Sequence, residues 1–402
     1  MKFPALECIR ALAALLVLAN HVYGNLHGVP QFGAISALTS FATEAVVIFF
    51  VLSGAVIELS RERGISSWQG YLYARWLRIY PIYVLAILLA LLAWPTLSGH
   101  PVLSWHVLAG NLLFLQSLPG YLVPVLASDN PLWSLSYEMS FYLLFVFVIW
   151  RPGFRWVWLG LALFSGTLGY WHALPRMPVL AHAVSILSFS SYWLVGNLLV
   201  RHRHQLALPG PGRALTYFTI ALAWSRVPWG FGFAYYDFLR LGGFALGCGV
   251  LVTALIRATE KPETASAGTG RVGPVLCAVP VLAGLWTISA AALATRVLLT
   301  LLVAAVLLVP VVSITRPLNV FNRLTPGLVW LGSISYALYV FHFPLVLLVD
   351  ALAGSMVWPV RMALVLGLVL ALAWGAERIL QPWLVRRFAR PASGTMEVRS
   401  TS

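Results

Sequence analysis

Charge is what this sequence has least of. Only 9% of its 402 residues are Asp, Glu, Lys or Arg, against about 25% in a soluble domain. With 60% apolar residues and a mean hydropathy of +0.86, the chain cannot clothe a globule of its size in polar surface, so a water-soluble enzyme or scaffold is excluded. Cysteine is scarce too. Cys8, Cys248 and Cys277 lie in or beside apolar stretches without disulfide or metal-ligand spacing, which excludes a cysteine framework and leaves the redox compartment open. Long polar runs are missing except near 258–272 and after Pro391, and no tandem or inverted repeat is visible. The expected organisation is therefore one membrane-embedded domain, 1–385, followed by a basic, disordered cytoplasmic tail, 386–402.

The charge that is present is lopsided. A net +14 in a soluble protein would point to nucleic acid, but here the basic loops at 61–63, 201–204 and 257–271 and the tail arginines fit the positive-inside rule, and no nucleic-acid partner is expected. About 20 apolar residues span a bilayer. Apolar runs near 9–26, 41–59, 79–95, 131–150, 156–173, 181–200, 214–230, 235–256, 273–292, 296–314, 328–350 and 357–380 predict an all-α, polytopic transmembrane helix bundle of about 10–12 spans with both termini cytoplasmic. Lys2 and the following apolar run also fit a cleaved signal, but Glu7 and Arg10 interrupt the lead-in, so the first helix is expected to stay. Residues 101–118, with His106, Asn111 and Gln116, read as an interfacial helix on the outer face.

Ionisable residues inside such helices are costly and mark function by default. Arg10 and His21 share a face of the first helix, about 16 Å apart along it, with Arg10 at the inner boundary and His21 in the outer half. Ser53 and Gly54 form a small pair late in the second helix, which permits close packing. Arg75 and Arg78, three apart, are neighbours on one face; two such guanidiniums can clamp phosphate, the alternative being simple positive-inside charge, and the aromatic and Pro packing of Trp76, Tyr80 and Pro81, which reads as a fixed loop, favours a binding site. In the next motif Trp133, Ser134 and Glu138 follow Pro131 at a helix start, and Glu138 reaches a depth like that of His21. The two are expected to face each other as a base and its orienting carboxylate. Tyr336, Tyr339 and His342 step along one side of a late helix, Glu377 reads as an inner-boundary ion-pair residue, and the 201–204 stretch reads as solvated. No metal site is expected.

Taken together and in order, these motifs resemble the acyltransferase 3 family of multispan membrane acyltransferases. The resemblance rests on Arg10 with His21, FFVLSG at 49–54, RWLRIYP at 75–81, WSLSYE at 133–138, SYALYVFHFP at 335–344, and Glu377 with Pro382 and Arg386. It implies a donor, acyl-CoA and most simply acetyl-CoA, taken from the cytoplasm, and a carbohydrate or glycolipid hydroxyl acylated at the outer face of a bacterial inner membrane, with no metal. It also implies that His21 and Glu138 are catalytic, that Arg10, Arg75 and Arg78 hold the coenzyme, and that Ser53, Gly54, Trp133, Ser134, Tyr336 and His342 belong to the site. The competing reading is a transporter or acyl-group channel without covalent chemistry, since buried His, Glu and Arg also build proton and substrate paths.

Overall fold

A computed structural model describes residues 3–30, 39, 41–65, 67–97, 103–118, 120–168, 174–225, 234–260 and 317–388. The described chain is a helix bundle. Its helices are α1 (Pro4–Asn25), α2 (Ala42–Glu62), α3 (Trp68–Ala93), α4 (Trp105–Leu112), α5 (Trp133–Trp150), α6 (Phe154–Leu168), α7 (Pro178–Arg201), α8 (Pro211–Trp224), α9 (Ala234–Glu260), α10 (Pro317–Gly332), α11 (Ser335–Leu352), α12 (Trp358–Trp374) and α13 (Gln381–Phe388). Among the described residues 8 helical segments are long and apolar enough to cross a membrane, and α6 is a shorter apolar helix. The runs read at 273–292 and 296–314, and the tail beyond Phe388, lie outside the described residues. Leu364, Leu368 and Leu372, four apart on α12, are all exposed. Such a stripe would be an aggregation surface in water and is the expected face toward lipid.

The centre of the bundle is α2, pressed against α1, α7 and α9. Two glycines set how close α2 and α7 come. A Cβ at Gly54 would lie 2.0 Å from the Trp193 carbonyl oxygen, and one at Gly196 would lie 2.0 Å from that of Val51. Backbone meets backbone there, the small-residue packing expected of helices in lipid. Asn197 Nδ2 donates to the Gly54 carbonyl at 3.3 Å, which fixes the crossing. One turn further on, Glu58 is fully buried and accepts from Arg155 (2.5 Å), Arg61 (2.7 Å) and Asn197 (3.2 Å). The inner ends of α2, α6 and α7 are thus tied through one carboxylate. Removing one partner of a buried pair of this kind costs about 3–5 kcal/mol.

Several local expectations change. The RWLRIYP stretch is not a loop: Arg75, Arg78 and Pro81 all lie within α3. Pro81 has no N–H for the Leu77 carbonyl, and Gln381 Nε2 donates to that carbonyl instead, at 3.2 Å, so the helix continues. The run at 328–350 is two helices, broken after Gly332, where a Cβ would lie 2.1 Å from the Glu7 carbonyl oxygen. The described part of the run at 214–230 is helical to Trp224, and 226–230 lie outside the described residues. Of the stretch 101–118, the described residues 103–118 form an α-helix only at Trp105–Leu112. Trp105 and Leu113 are exposed, but Asn111 and Gln116 are fully buried and bond the chain around them, so this segment is only half interfacial.

The basic stretch after α7 is not simply solvated. Arg203 is 6% exposed and donates to Glu62 (2.7 Å) and Glu260 (3.0 Å). Burial opposes its charge, but the hydrogen bonds to these carboxylates outweigh burial and raise its pKa. At the opposite end, Asp350 of α11 accepts from the His27 N–H (2.9 Å) and from Arg361 of α12 (2.6 Å), and Arg361 also donates to the His27 carbonyl. This clamp holds the outer end of α1 in register with α11, the two helices that carry His21 and His342.

Candidate active site

The N-terminal halves of α1, α3 and α11 and the facing turns of α2 and α5 enclose a cavity of about 390 Å³, within the range of small-molecule sites, lined by Arg10, Arg75, Arg78, Ser53, Ser134, Glu138, Tyr142, Tyr336 and Tyr339 among others. Seven of the residues singled out in the sequence therefore meet around one space. His21, His342, Gly54 and Trp133 do not line it.

The three arginines are not equivalent. Arg10 is paired with Glu7, one turn earlier on α1, at 2.9 Å. Arg78 makes a two-pronged pair with Glu377, at 2.6 and 3.0 Å, and its guanidinium lies 5.4 Å from the centre of the Tyr336 ring. Glu377 reaches inward from a π turn, Gly375–Leu380, between α12 and α13. Arg75 has no carboxylate partner among the described residues, and its buried Nε has no hydrogen-bond partner. The clamp expected of Arg75 and Arg78 is thus divided: Arg78 is held by Glu377, and Arg75 makes no direct ion pair among the described residues and stands at the wall of a cavity that Glu138 also lines, with its guanidinium open to an anion.

Beyond the cavity lies a histidine pair. His342 is fully buried, and its Nδ1 lies 2.5 Å from the Tyr339 carbonyl. A carbonyl only accepts, so Nδ1 carries the proton, and Nε2 of neutral His342 is a lone pair. That lone pair faces His21 Nδ1 at 2.9 Å, and His21 Nδ1 also lies 3.0 Å from the Val17 carbonyl. Both neighbours require His21 to carry its proton on Nδ1. Its Nε2 is then unprotonated, on a ring that is only half-buried. The arrangement is that of a base whose tautomer is set by its neighbours. Replacing His342 with alanine removes one of two determinants of that tautomer. The expected result is a roughly 10- to 100-fold fall in kcat with the donor KM unchanged, by analogy with other orienting partners of a functional imidazole, checked by steady-state kinetics in liposomes.

The pairing expected between His21 and Glu138 is not what the structure shows. Glu138 accepts from Tyr142 at 2.5 Å and belongs to the cavity, whereas the partner of His21 is His342. The two regions are joined by Tyr339, whose hydroxyl donates to the Pro131 carbonyl (3.0 Å) and shares a 2.8 Å hydrogen bond with Ser134, while its carbonyl holds His342.

A family model described as an acyltransferase domain, that of acyltransferase 3, matches residues 3–378, a span that holds every residue of the cavity and the histidine pair.

The chain belongs to the acyltransferase 3 family.

It is also similar to a protein named acyltransferase MdmB from Streptomyces mycarofaciens, 35% identical over 152 residues, which are 36% of this chain and 38% of that relative. The match thus spans well under half the length of either protein. No solved structure matches the chain.

Within this acyltransferase 3 domain the remaining motif residues find distinct places. Trp193 Nε1 donates to Ser53 Oγ (3.2 Å), Ser53 shares a 3.0 Å hydrogen bond with the Tyr142 hydroxyl, and Tyr142 donates to Glu138. Because the carboxylate can only accept and the indole can only donate, all three bonds run in one direction and end on Glu138. Gly54 serves the α2–α7 crossing. Trp133 packs edge-on against Phe50, Tyr137 and Phe189. Tyr336 donates to the Ile79 carbonyl at 2.9 Å, bracing α11 against the arginine-bearing helix. Sequence reading did not place Tyr142 or Tyr339 in the site. Both carried a signal, since Tyr142 is four residues from Glu138 and Tyr339 three from His342, spacings that put each pair on one helical face. Among the described residues no cluster of side chains suits a metal ion.

Proposed function

We propose that the protein is a membrane O-acyltransferase that takes an acyl group, most simply acetyl, from cytoplasmic acyl-CoA and transfers it to a carbohydrate or glycolipid hydroxyl at the outer face of a bacterial inner membrane. The observation that carries the reading is the His21 ring, held with its Nε2 lone pair free, next to an arginine-lined cavity at the arginine-rich end of the bundle. That end is cytoplasmic by the positive-inside rule. The residues fit the donor: Arg75 meets its phosphates, with Arg10 and Arg78 flanking, and the distance of about 16 Å along α1 from Arg10 to His21 suits an extended pantetheine arm.

His21 Nε2 accepts the proton of the substrate hydroxyl as its oxygen attacks the thioester carbonyl. The C–O bond forms, the C–S bond breaks, and the coenzyme thiolate leaves with the proton that His21 returns. His342 keeps Nε2 as the basic atom and shares the positive charge while it exists. Glu138, oriented by Tyr142 and Ser53, lies on the donor side and accepts a donor N–H.

Purified protein in liposomes, supplied with labelled acetyl-CoA and sugar substrates, tests the reading. O-acylated product together with free coenzyme supports it. Uptake of label without product supports the transport alternative and overturns it.

A further inference from the structure

Four buried oxygen atoms beyond the cavity have no hydrogen-bond partner among the described residues: both carboxylate oxygens of Asp129, Oγ of Ser128 and Oε1 of Gln116. All three residues have 0% exposure. A buried carboxylate without a donor is among the most costly groups a fold can keep, and more so in a membrane protein. The surrounding chain is otherwise well bonded. Gln116 Nε2 donates to the Tyr83 hydroxyl and to the Leu132 carbonyl, at 2.9 Å each, Tyr83 donates to the Asn111 carbonyl at 2.7 Å, and Ser136 donates to the Gln116 carbonyl. Four of the twelve unpartnered buried side-chain atoms among the described residues belong to these three residues, and Asp129 is the one residue with two of them.

These residues adjoin the transfer site. Asp129 interrupts the short helical segment Ala127–Leu132 with a non-helical φ of −151° and ψ of 64°, and the segment packs against α11 and α3. Asp129 lies two residues before Pro131, whose carbonyl holds the Tyr339 hydroxyl, and Tyr339 holds His342. One tyrosine thus separates the unpartnered oxygens from the histidine pair, on the side away from the arginines.

The Asp129 carboxylate and Gln116 Oε1 accept only, and the Ser128 hydroxyl both accepts and donates, so a ligand with several O–H groups completes all four. A carboxylate with two free oxygens suits adjacent hydroxyls, the pattern of a sugar ring. We propose that Asp129, with Ser128 and Gln116, forms the subsite for the hydroxyl substrate, binding sugar hydroxyls next to the one that is acylated. The proposal rests on the transfer reading above and assigns residues to its second substrate.

The test uses the full-length protein in liposomes, labelled acetyl-CoA as donor, and a mixture of methyl glycosides of glucose, galactose, mannose and rhamnose as probe. Asp129→Asn removes the lone charge. Its thermal midpoint is expected to equal or exceed that of the wild type and its donor Kd to stay within about two-fold, while kcat/KM for the glycosides falls about 100-fold, the scale of lost charge-assisted hydrogen bonds to substrate hydroxyls. Ser128→Ala is expected to keep the midpoint and lower the same constant about ten-fold, the scale of one neutral hydrogen bond. Unchanged kcat/KM in Asp129→Asn overturns the proposal, as does a lowered midpoint with parallel loss of donor binding, which would make the carboxylate structural. Dependence of wild-type transfer on a monovalent cation, with glycoside KM unaffected by Asp129→Asn, overturns it in favour of a cation site. If the wild type acylates none of the glycosides, the carbohydrate reading itself fails.

Discussion

His21→Ala lowers kcat for acyl transfer by about 10³-fold or more, the upper part of the range for removing a positioned general base, while donor affinity stays within about two-fold of the wild type. The separation of these two constants follows from the geometry. His21 does not line the arginine cavity, so its removal leaves the donor end intact. It removes the only ring nitrogen of the pair that is both unprotonated and on a partly exposed ring, since Nε2 of His342 is turned toward His21 at 2.9 Å and buried. The helix survives the change because α1 is anchored at both ends without His21, by the close approach of Gly332 to Glu7 and by the Asp350–Arg361 clamp at 2.6 Å. Steady-state kinetics and equilibrium binding of a labelled acyl-CoA to the same preparation check the result. A variant that transfers at the wild-type rate while folded would remove His21 from the chemistry.

Arg75→Ala has the opposite signature: the donor KM rises about 10- to 100-fold, the equivalent of about 1.5–3 kcal/mol for charge-assisted hydrogen bonds to phosphate, and kcat at saturating donor is little changed. Arg75 is the informative arginine because it makes no ion pair with a carboxylate among the described residues. Arg78 is bonded to the buried Glu377, so its removal leaves a buried charge alone and confounds binding with folding. Arg75→Lys keeps the charge without the planar fork and is expected to fall between the two. A donor KM unchanged in Arg75→Ala, measured across a range of acyl-CoA concentrations, would place the coenzyme elsewhere.

The membrane bundle was legible from composition and apolar runs, because lipid leaves a chain few alternatives to helices. Much of the cavity's polar lining was legible too, since Arg10, Arg75, Arg78, Ser53, Ser134, Glu138 and Tyr336 stood out as polar residues in apolar surroundings. What could not be read was which polar group meets which. Depth along a helix is nearly fixed by the rise per residue, so Glu138 and His21 could be placed in the same half of the membrane. Rotation about each helix axis depends on packing, which turns Glu138 into the cavity beside its helical neighbour Tyr142 and brings His21 to His342. The continuity of α3 through Pro81 was hidden for a similar reason, because the donor that completes Leu77 is Gln381, three hundred residues away in sequence. Arg203 read as solvated because a basic loop residue is usually exposed, and its two carboxylate partners come from the ends of other helices.

The central claim is that one site has a donor end at the arginine-rich face and a transfer end in the other half of the membrane. The most direct measurement uses liposomes with the protein in a single orientation and labelled acetyl-CoA supplied only to the face carrying Arg61 and Arg203, with a membrane-impermeant glycoside on the other. The account predicts labelled ester on the glycoside and free coenzyme left on the donor side, and no product when donor and glycoside are exchanged. Equal transfer in both arrangements, or transfer only when donor and glycoside share one face, would contradict it.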